Sequence, residues 1–145
     1  MNEEATLTLL LEQHAVIDVL SRYARGIDRR DKKLYRACLC DQIDIDIEGM
    51  EERSRSADEW ITEAFSISDN YASTQHLITN HEVHFKDGPN GNIARCTAHL
   101  QAQQWNPQKS TLLGGRYDYG LRKEGGEWRI DRIGLKVDWV EESSE

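Results

Sequence analysis

The sequence predicts an α+β domain in which helices cover one face of a curved antiparallel sheet. Helical periodicity dominates the first half of the chain, and long alternating strands fill the second half. The clearest single feature is a strand, turn and strand from Thr111 to Trp139. Strands that follow one another, instead of alternating with helices, are typical of α+β folds.

The three predicted helices have recognisable ends. Apolar residues at helical spacing predict a long first helix that starts in the range Thr6–Thr8 and ends near Gly26. Asp31 is a predicted N-cap for a short second helix, and Ser56 for a third that ends near Asp69. All three helices therefore precede the long strands.

Five strands are predicted. Alternating isoleucines and acidic residues over 41–49 indicate an early strand with one wet face. Two longer strands, about Thr74–Lys86 and Asn92–Trp105, flank a turn rich in glycine, proline and asparagine. The hairpin completes the sheet, with paired glycines in the turn at 124–127.

The second arm of the hairpin changes phase along its length. Trp128 and Ile130 share one parity, whereas Ile133 and Leu135 share the other. A bulge or sharp bend within Asp131–Gly134 would keep both sets packed. Such a bend curves the sheet, so its concave face must be filled by core side chains or by a ligand.

Size and charge restrict the possible partners. The 145 residues predict one domain, with residues 1–5 and 141–145 frayed. A net charge of −8 disfavours nucleic acid and anionic membranes and leaves a small hydrophobic molecule as the expected partner. The sequence has no long apolar run and no basic export signal, which predicts a soluble cytoplasmic protein.

Cysteines and histidines suggest no metal site. The odd set Cys38, Cys40 and Cys96 forms no familiar framework and is expected to remain as inert thiols in a reducing compartment. His81 and His84 stand three apart on a predicted strand, so they do not form the helical metalloprotease pair. No metal and no cofactor are expected.

Four stretches resemble the SnoaL-like group of the nuclear-transport-factor-2-like superfamily. They are Tyr23-Ala-Arg-Gly-Ile-Asp28, Gln75-His76, Gly114-Gly-Arg-Tyr117 and Gly126-Glu-Trp128-Arg-Ile. The resemblance covers nearly the whole chain and implies a cone-shaped, cystatin-like α+β fold and a homo-oligomer, either a dimer or a trimer. Because the superfamily includes dehydratases, isomerases, cyclases and binding proteins, it implies the fold more strongly than an activity.

Within this superfamily the chain is most similar to cofactor-free eliminating enzymes, namely scytalone dehydratase, bile-acid dehydratase and hexachlorocyclohexane dehydrochlorinase. The resemblance implies that Asp28 and His76 are the catalytic aspartate and histidine. It likewise implies that Tyr23 and His99 are catalytic, and it places Lys136 near a basic residue of the dehydrochlorinase.

These residues suit proton abstraction next to a carbonyl. Asp28 is expected to bond one ring nitrogen of His76, at about 2.6 to 3.2 Å, so that the other nitrogen acts as the base inside a closed pocket. Tyr23 would donate to the developing oxyanion, with His99 as a second donor or relay. The predicted substrate-binding residues are Thr97, Leu113, Tyr117, Tyr119, Lys136 and Trp139.

The sequence leaves other functions open. Alternation places Thr97 and His99 on the face opposite Ala94, Ala98 and Leu100, and these last three are predicted to form a dimer surface.

The preferred function is a dehydratase-type lyase or isomerase acting on a small hydrophobic substrate, polycyclic or aromatic. The alternatives are a noncatalytic ligand-binding or assembly module and an aldol catalyst of polyketide-cyclase type.

Overall fold

A computed structural model describes residues 2–144. Three helices lie on a curved, unclosed sheet of six strands. The elements in chain order are α1 Glu3–Asp28, α2 Lys32–Ala37, β1 Leu39–Ile47, β2 Arg53–Ser56, α3 Ala57–Ser68, β3 Ser73–Phe85, β4 Ile93–Trp105, β5 Lys109–Glu124 and β6 Glu127–Ser144. The predicted α+β class is confirmed.

Helix α1 is longer at both ends than predicted. The side chain of Asn2 caps it by accepting from the Ala5 N–H at 2.8 Å, so residues expected to be frayed are helical. The helix also continues through Gly26 to Asp28. Gly26 is therefore not the terminator that was predicted; a Cβ at this position would meet the backbone of Tyr35 in α2.

The other helix caps agree with prediction. Asp31 caps α2 by accepting from the Leu34 N–H at 3.0 Å. Ser56 caps α3 and accepts from the Glu59 N–H at 3.1 Å, while the Glu59 carboxylate accepts from the Ser56 N–H. This reciprocal capping box satisfies two N–H groups that the helix itself leaves unpaired.

The strand order is β2-β1-β6-β5-β4-β3. The pairs from β3 through β6 are antiparallel, as predicted, but β1 runs parallel to β6. The short strand β2, which was not predicted, pairs antiparallel with the outer edge of β1. The sheet is therefore mixed, because the β1–β6 pair is parallel and the other pairs are antiparallel.

The predicted bulge in β6 is confirmed. Gly120 pairs with Arg132 and Leu121 with Ile130, so Asp131 is the extra residue. β6 then continues to Ser144 beside β5, so residues 141–144, which were expected to be frayed, are paired strand. Bulges increase the local twist of a strand, and this one is among several register shifts in the sheet.

The helices pack on one face of the sheet, and the aromatic core lies between these two layers. In β4 the residues on this inner face are apolar and buried, among them Ala94, Ala98 and Leu100. The dimer surface predicted from these three residues is therefore wrong, and self-association stays a prediction. Among residues 2–144, no helix combines the length and apolar character needed to cross a bilayer.

Candidate functional site

Asp28 and His76 meet where the C-terminus of α1 crosses the start of β3. Oδ1 of Asp28 lies 2.7 Å from Nδ1 of His76, within the expected range. Oδ2 of the same carboxylate accepts from the backbone N–H of His76 at 2.8 Å. The side chains are 19% and 15% exposed, so solvent reaches the pair only in part.

Thr74 adds a third contact to this carboxylate. Its hydroxyl lies 3.0 Å from Oδ1 of Asp28, and the residue is buried. An ionised carboxylate accepts hydrogen bonds and donates none. With Asp28 ionised, Nδ1 of His76 carries the hydrogen and Nε2 keeps a lone pair. The arrangement is thus able to present a neutral imidazole base through Nε2.

Four tyrosines form a cluster between the helices and the sheet. The ring of Tyr23 stacks on that of Tyr35 with centroids 4.8 Å apart, and it meets Tyr117 and Tyr119 edge-on at 6.5 and 5.8 Å. Burial raises the pKa of all four hydroxyls above the ordinary tyrosine value. They therefore stay protonated and able to donate hydrogen bonds in neutral solution.

Within this cluster, Tyr117 is the tyrosine on which the charge of Asp28 acts. That negative charge is a further reason, after burial and the neighbouring Tyr23, for the raised pKa of Tyr117. Tyr119 is fully buried, and its hydroxyl has no partner among the described residues. Neighbouring core residues enclose Tyr119, and its predicted role in substrate binding stays a prediction.

His99 and Thr97 lie on the other face of the sheet from His76. His76 pairs with the buried Ala102 of β4, whereas His99 pairs with the exposed Thr79. Alternation along β4 then places Thr97 and His99 on the outer, solvent-facing side. The prediction that they line the interior is wrong, because the other row of β4 is buried in the core and the polar row is exposed to water.

Lys136 and Trp139 also lie on the outer face. Lys136 pairs with Arg116, the β5 partner of His99, and Trp139 pairs with Gly114. Of the predicted substrate-binding residues, Leu113 does share the face of His76, since both pair with Ala102. Leu113 is half-buried and packs against the core, and its role in substrate binding stays a prediction.

Within the part of the chain that the structure describes, the expected closed chamber is not among the main cavities. The aromatic side chains fill the space between helices and sheet, and the pair lines none of the four cavities described for residues 2–144. A groove of about 860 Å³ lies instead on the outer face. Its charged lining residues are Asp46, Glu48, Glu82, Arg116, Asp118, Arg132 and Lys136.

His81 is a further candidate functional residue, which the alternation of the sequence did not identify. The pairing of β3 with β4 shifts between Thr79 and Glu82, and Asn80 takes a positive φ of 55° in this bulge. Nε2 of His81 is buried without a partner among the described residues. Burial lowers the pKa of His81, because desolvation favours the neutral imidazole over the charged form.

Within the described residues, no three histidine, cysteine, aspartate or glutamate side chains gather as a metal site would require. The three cysteines are buried and unpaired. Burial raises the pKa of Cys38 to about 11 and that of Cys40 to about 12. They are therefore thiols at neutral pH, and thiols are weak nucleophiles.

Comparison of the sequence with models of protein families gives one match. The family described as the SnoaL-like domain matches residues 8–133. No curated protein is significantly similar to the chain.

Several solved structures share the fold. A protein from Kribbella flavida is 23% identical, with a TM-score of 0.83 over 90% of this chain and 93% of that one. A candidate scytalone dehydratase from Novosphingobium aromaticivorans is 17% identical, with a TM-score of 0.82 over 94% and 90%. A hexachlorocyclohexane dehydrochlorinase from Novosphingobium barchaimii is 15% identical, with a TM-score of 0.79 over 95% and 94%. All three identities are below 25%, so the similarity shows a shared fold and does not show a shared activity.

Proposed function

We propose that this chain, which belongs to the SnoaL-like domain family, is a cofactor-independent lyase or isomerase of dehydratase type. Two of its structural neighbours bear the names of a dehydratase and a dehydrochlorinase, and both of those reactions are eliminations. The observation that carries the proposal is the hydrogen bond between Asp28 and His76. A carboxylate on one ring nitrogen makes the other nitrogen an oriented base.

The proposed reaction begins at Nε2 of His76. This nitrogen takes a proton from a carbon next to a carbonyl group, and the electron pair of the broken C–H bond forms an enolate. Asp28 stabilises the imidazolium that results, because the new positive charge lies beside its carboxylate. The enolate then expels a hydroxide from the adjacent carbon, and His76 returns its proton to that hydroxide as water. Isomerisation would return the proton to a different carbon.

Tyrosine hydroxyls are the proposed donors to the enolate oxygen. Tyr23 lies in the cluster beside Tyr117, and Tyr117 lies close enough to Asp28 to be affected by its charge. Because their pKa values are raised, both hydroxyls remain donors in neutral solution. A donor that is already oriented stabilises developing negative charge without reorganising. Access of a substrate to these hydroxyls requires the side chains around them to move, since both residues are buried.

The substrate class follows from what surrounds the pair. Leu113 and Ile78 are half-buried apolar side chains on the same face as His76. Apolar area removed from water stabilises a complex by roughly 25 cal/mol per Å². We therefore propose a small, largely hydrophobic carbonyl compound with a hydroxyl group on the carbon beyond the acidic C–H bond, with a polycyclic or aromatic skeleton.

Proton abstraction from carbon can be measured before the natural substrate is known. A nitrobenzisoxazole opens to a coloured phenolate when a base removes its carbon-bound proton. A panel of cyclic and aromatic β-hydroxy ketones in heavy water would reveal both deuterium uptake and loss of water by NMR. His84→Ala is the matched control, because His84 lies on the same strand as His76 and pairs with the exposed Arg95.

We expect His76→Ala and Asp28→Asn to slow these reactions at least about 100-fold, whereas His84→Ala leaves the rates unchanged. Equal rates in the wild-type protein and both variants would exclude the pair as the base. A change in the His84 variant as large as that in the His76 variant would show that the loss is not specific.

A second candidate is a noncatalytic ligand-binding or assembly module of the same fold. The filled interior favours it, because an elimination catalyst needs space for its substrate next to the base. This candidate predicts no proton exchange with any member of the panel, together with saturable binding detected by calorimetry.

A further inference from the structure

Arg30 occupies a backbone position at which glycine is the usual residue. Helix α1 ends in a Schellman motif, in which the Asp31 N–H donates to the Gly26 carbonyl at 2.8 Å and the Arg30 N–H to the Ile27 carbonyl at 3.3 Å. The central residue of this motif, Arg30, has a φ of 57°. A left-handed backbone disfavours any side chain with a Cβ. An arginine at this point therefore indicates that its side chain is needed.

The Arg30 side chain folds back and joins three elements. Nη1 donates to the Ile27 carbonyl at 2.8 Å and to Oγ1 of Thr74 at 3.0 Å. Nη2 donates to the Ser68 carbonyl, the last residue of α3, at 2.7 Å. The guanidinium thus connects the C-terminal ends of α1 and α3 with the start of β3.

The contact with Thr74 has a direction. A guanidinium only donates hydrogen bonds, so the Thr74 oxygen must accept from Arg30. The single hydroxyl hydrogen of Thr74 is then free for Oδ1 of Asp28, 3.0 Å away. Oδ1 consequently accepts from Thr74 and from Nδ1 of His76, while Oδ2 accepts from the His76 backbone. Three hydrogen bonds hold the carboxylate in one orientation.

We propose that Arg30, acting through Thr74, is a positioning residue that orients Asp28 and keeps His76 in the tautomer with its proton on Nδ1. The importance of this positioning for catalysis rests on the function proposed above, in which His76 is the base. A charged donor at the end of a hydrogen-bonded chain strengthens the bonds that follow it. Without this chain the carboxylate would rotate more freely, and the Nε2–H tautomer, which cannot act as the base, would become populated.

The competing explanation is that Arg30 only ties three elements together. The two explanations differ at Thr74, because Thr74→Val keeps the shape of the side chain and leaves the contacts of Arg30 with Ile27 and Ser68 in place. Thr74→Ser keeps the hydroxyl. Thr79→Val is the matched control, since Thr79 lies on the same strand and on the exposed outer face.

The direct measurement is the pair of nitrogen chemical shifts of the His76 ring in isotopically labelled protein, assigned by their loss in His76→Ala. These shifts distinguish the two tautomers without any substrate. We expect the Nδ1–H tautomer in the wild type, Thr74→Ser and Thr79→Val. Thr74→Val should give a mixture of tautomers and slow the opening of the nitrobenzisoxazole about tenfold, as expected when a charged group loses one hydrogen bond.

Arg30→Gly separates stability from positioning. Glycine suits the left-handed backbone, and this relief offsets part of the stability lost with the guanidinium contacts. The proposal expects the same mixture of tautomers in a folded Arg30→Gly protein as in Thr74→Val. Wild-type tautomers in both variants would overturn it, even if His76→Ala abolishes proton abstraction. If His76→Ala leaves proton abstraction unchanged, the proposed function fails, and the tautomer measurement still decides whether Arg30 and Thr74 position Asp28.

Discussion

The Cα of Gly26 packs directly against the backbone of Tyr35. A Cβ at residue 26 would come within 2.9 Å of the Tyr35 nitrogen and 3.0 Å of its Cα. Alanine favours a helix interior by about 1 kcal/mol over glycine, but overpacking costs about 1 to 3 kcal/mol. Because the neighbouring atoms belong to the backbone, we expect the steric cost to exceed the helix gain.

Gly26→Ala should therefore lower the free energy of unfolding by about 1 to 2 kcal/mol, measured by urea denaturation. The exposed neighbour Arg25→Ala is the control and should change it by less than about 0.5 kcal/mol. A Gly26→Ala protein as stable as the wild type would show that α1 and α2 are free to separate.

The same substitution at Gly114 should have a different result. An added Cβ would overlap the indole of Trp139, which is 42% exposed. Because an exposed side chain is able to swing away, Gly114→Ala should cost less than about 1 kcal/mol. It should also shift the tryptophan emission to longer wavelength as the indole enters water. No such shift is expected when Gly114→Ala is made in a Trp139→Ala background, and a shift there would contradict the assignment to Trp139.

Burial predicts slow alkylation of all three cysteines. It raises the pKa of Cys38 and Cys96 to about 11 and that of Cys40 to about 12, so the thiolate is scarce at neutral pH. Mass spectrometry after treatment with iodoacetamide should show unmodified native protein and three modifications in urea. Rapid labelling of the native protein at any of the three would contradict their burial.

His81 makes stability depend on pH. Folding lowers its pKa because the ring is desolvated, so the unfolded chain binds a proton more readily than the folded chain. The contribution of this site to stability is complete above the ordinary histidine pKa, about 6.5, and falls as the pH drops below that value. The melting temperature should fall between neutral and mildly acid pH, and this fall should be a few degrees smaller in His81→Met than in the wild-type protein. The exposed His84→Met is the control, and an unchanged fall in His81→Met would refute the assignment.

Local features such as helix caps were predictable from the sequence wherever one or two neighbouring residues determine them. The caps Asp31 and Ser56 act through their own side chains and the next turn of helix, so sequence spacing was sufficient to find them. The bulge at Asp131 followed from the change of phase between Ile130 and Ile133. The proximity of Asp28 and His76 followed from the family resemblance, since 48 residues separate them and no local rule links them.

Other features depend on which surfaces meet. Alternation divides β4 into a row containing His99 and a row containing Ala98, but it does not say which row the helices cover. In the structure the row containing Ala98 is buried in the core and the row containing His99 is exposed, and the strand pairing extends this division to β5. The parallel pairing of β1 with β6 has no local signal either, because it joins segments such as Asp44 and Arg132 that are distant in sequence.

The place of β6 in the sheet affects how the protein is made. During synthesis, β1 leaves the ribosome well before β6, the strand that joins β1 to the rest of the sheet. Until β6 emerges, β1 and its isoleucines are not joined to β3, β4 and β5, the strands that are made between them. The nascent chain therefore holds β1 apart from the rest of the sheet until β6 has been made, and incomplete chains with exposed apolar surface are the ones that chaperones bind.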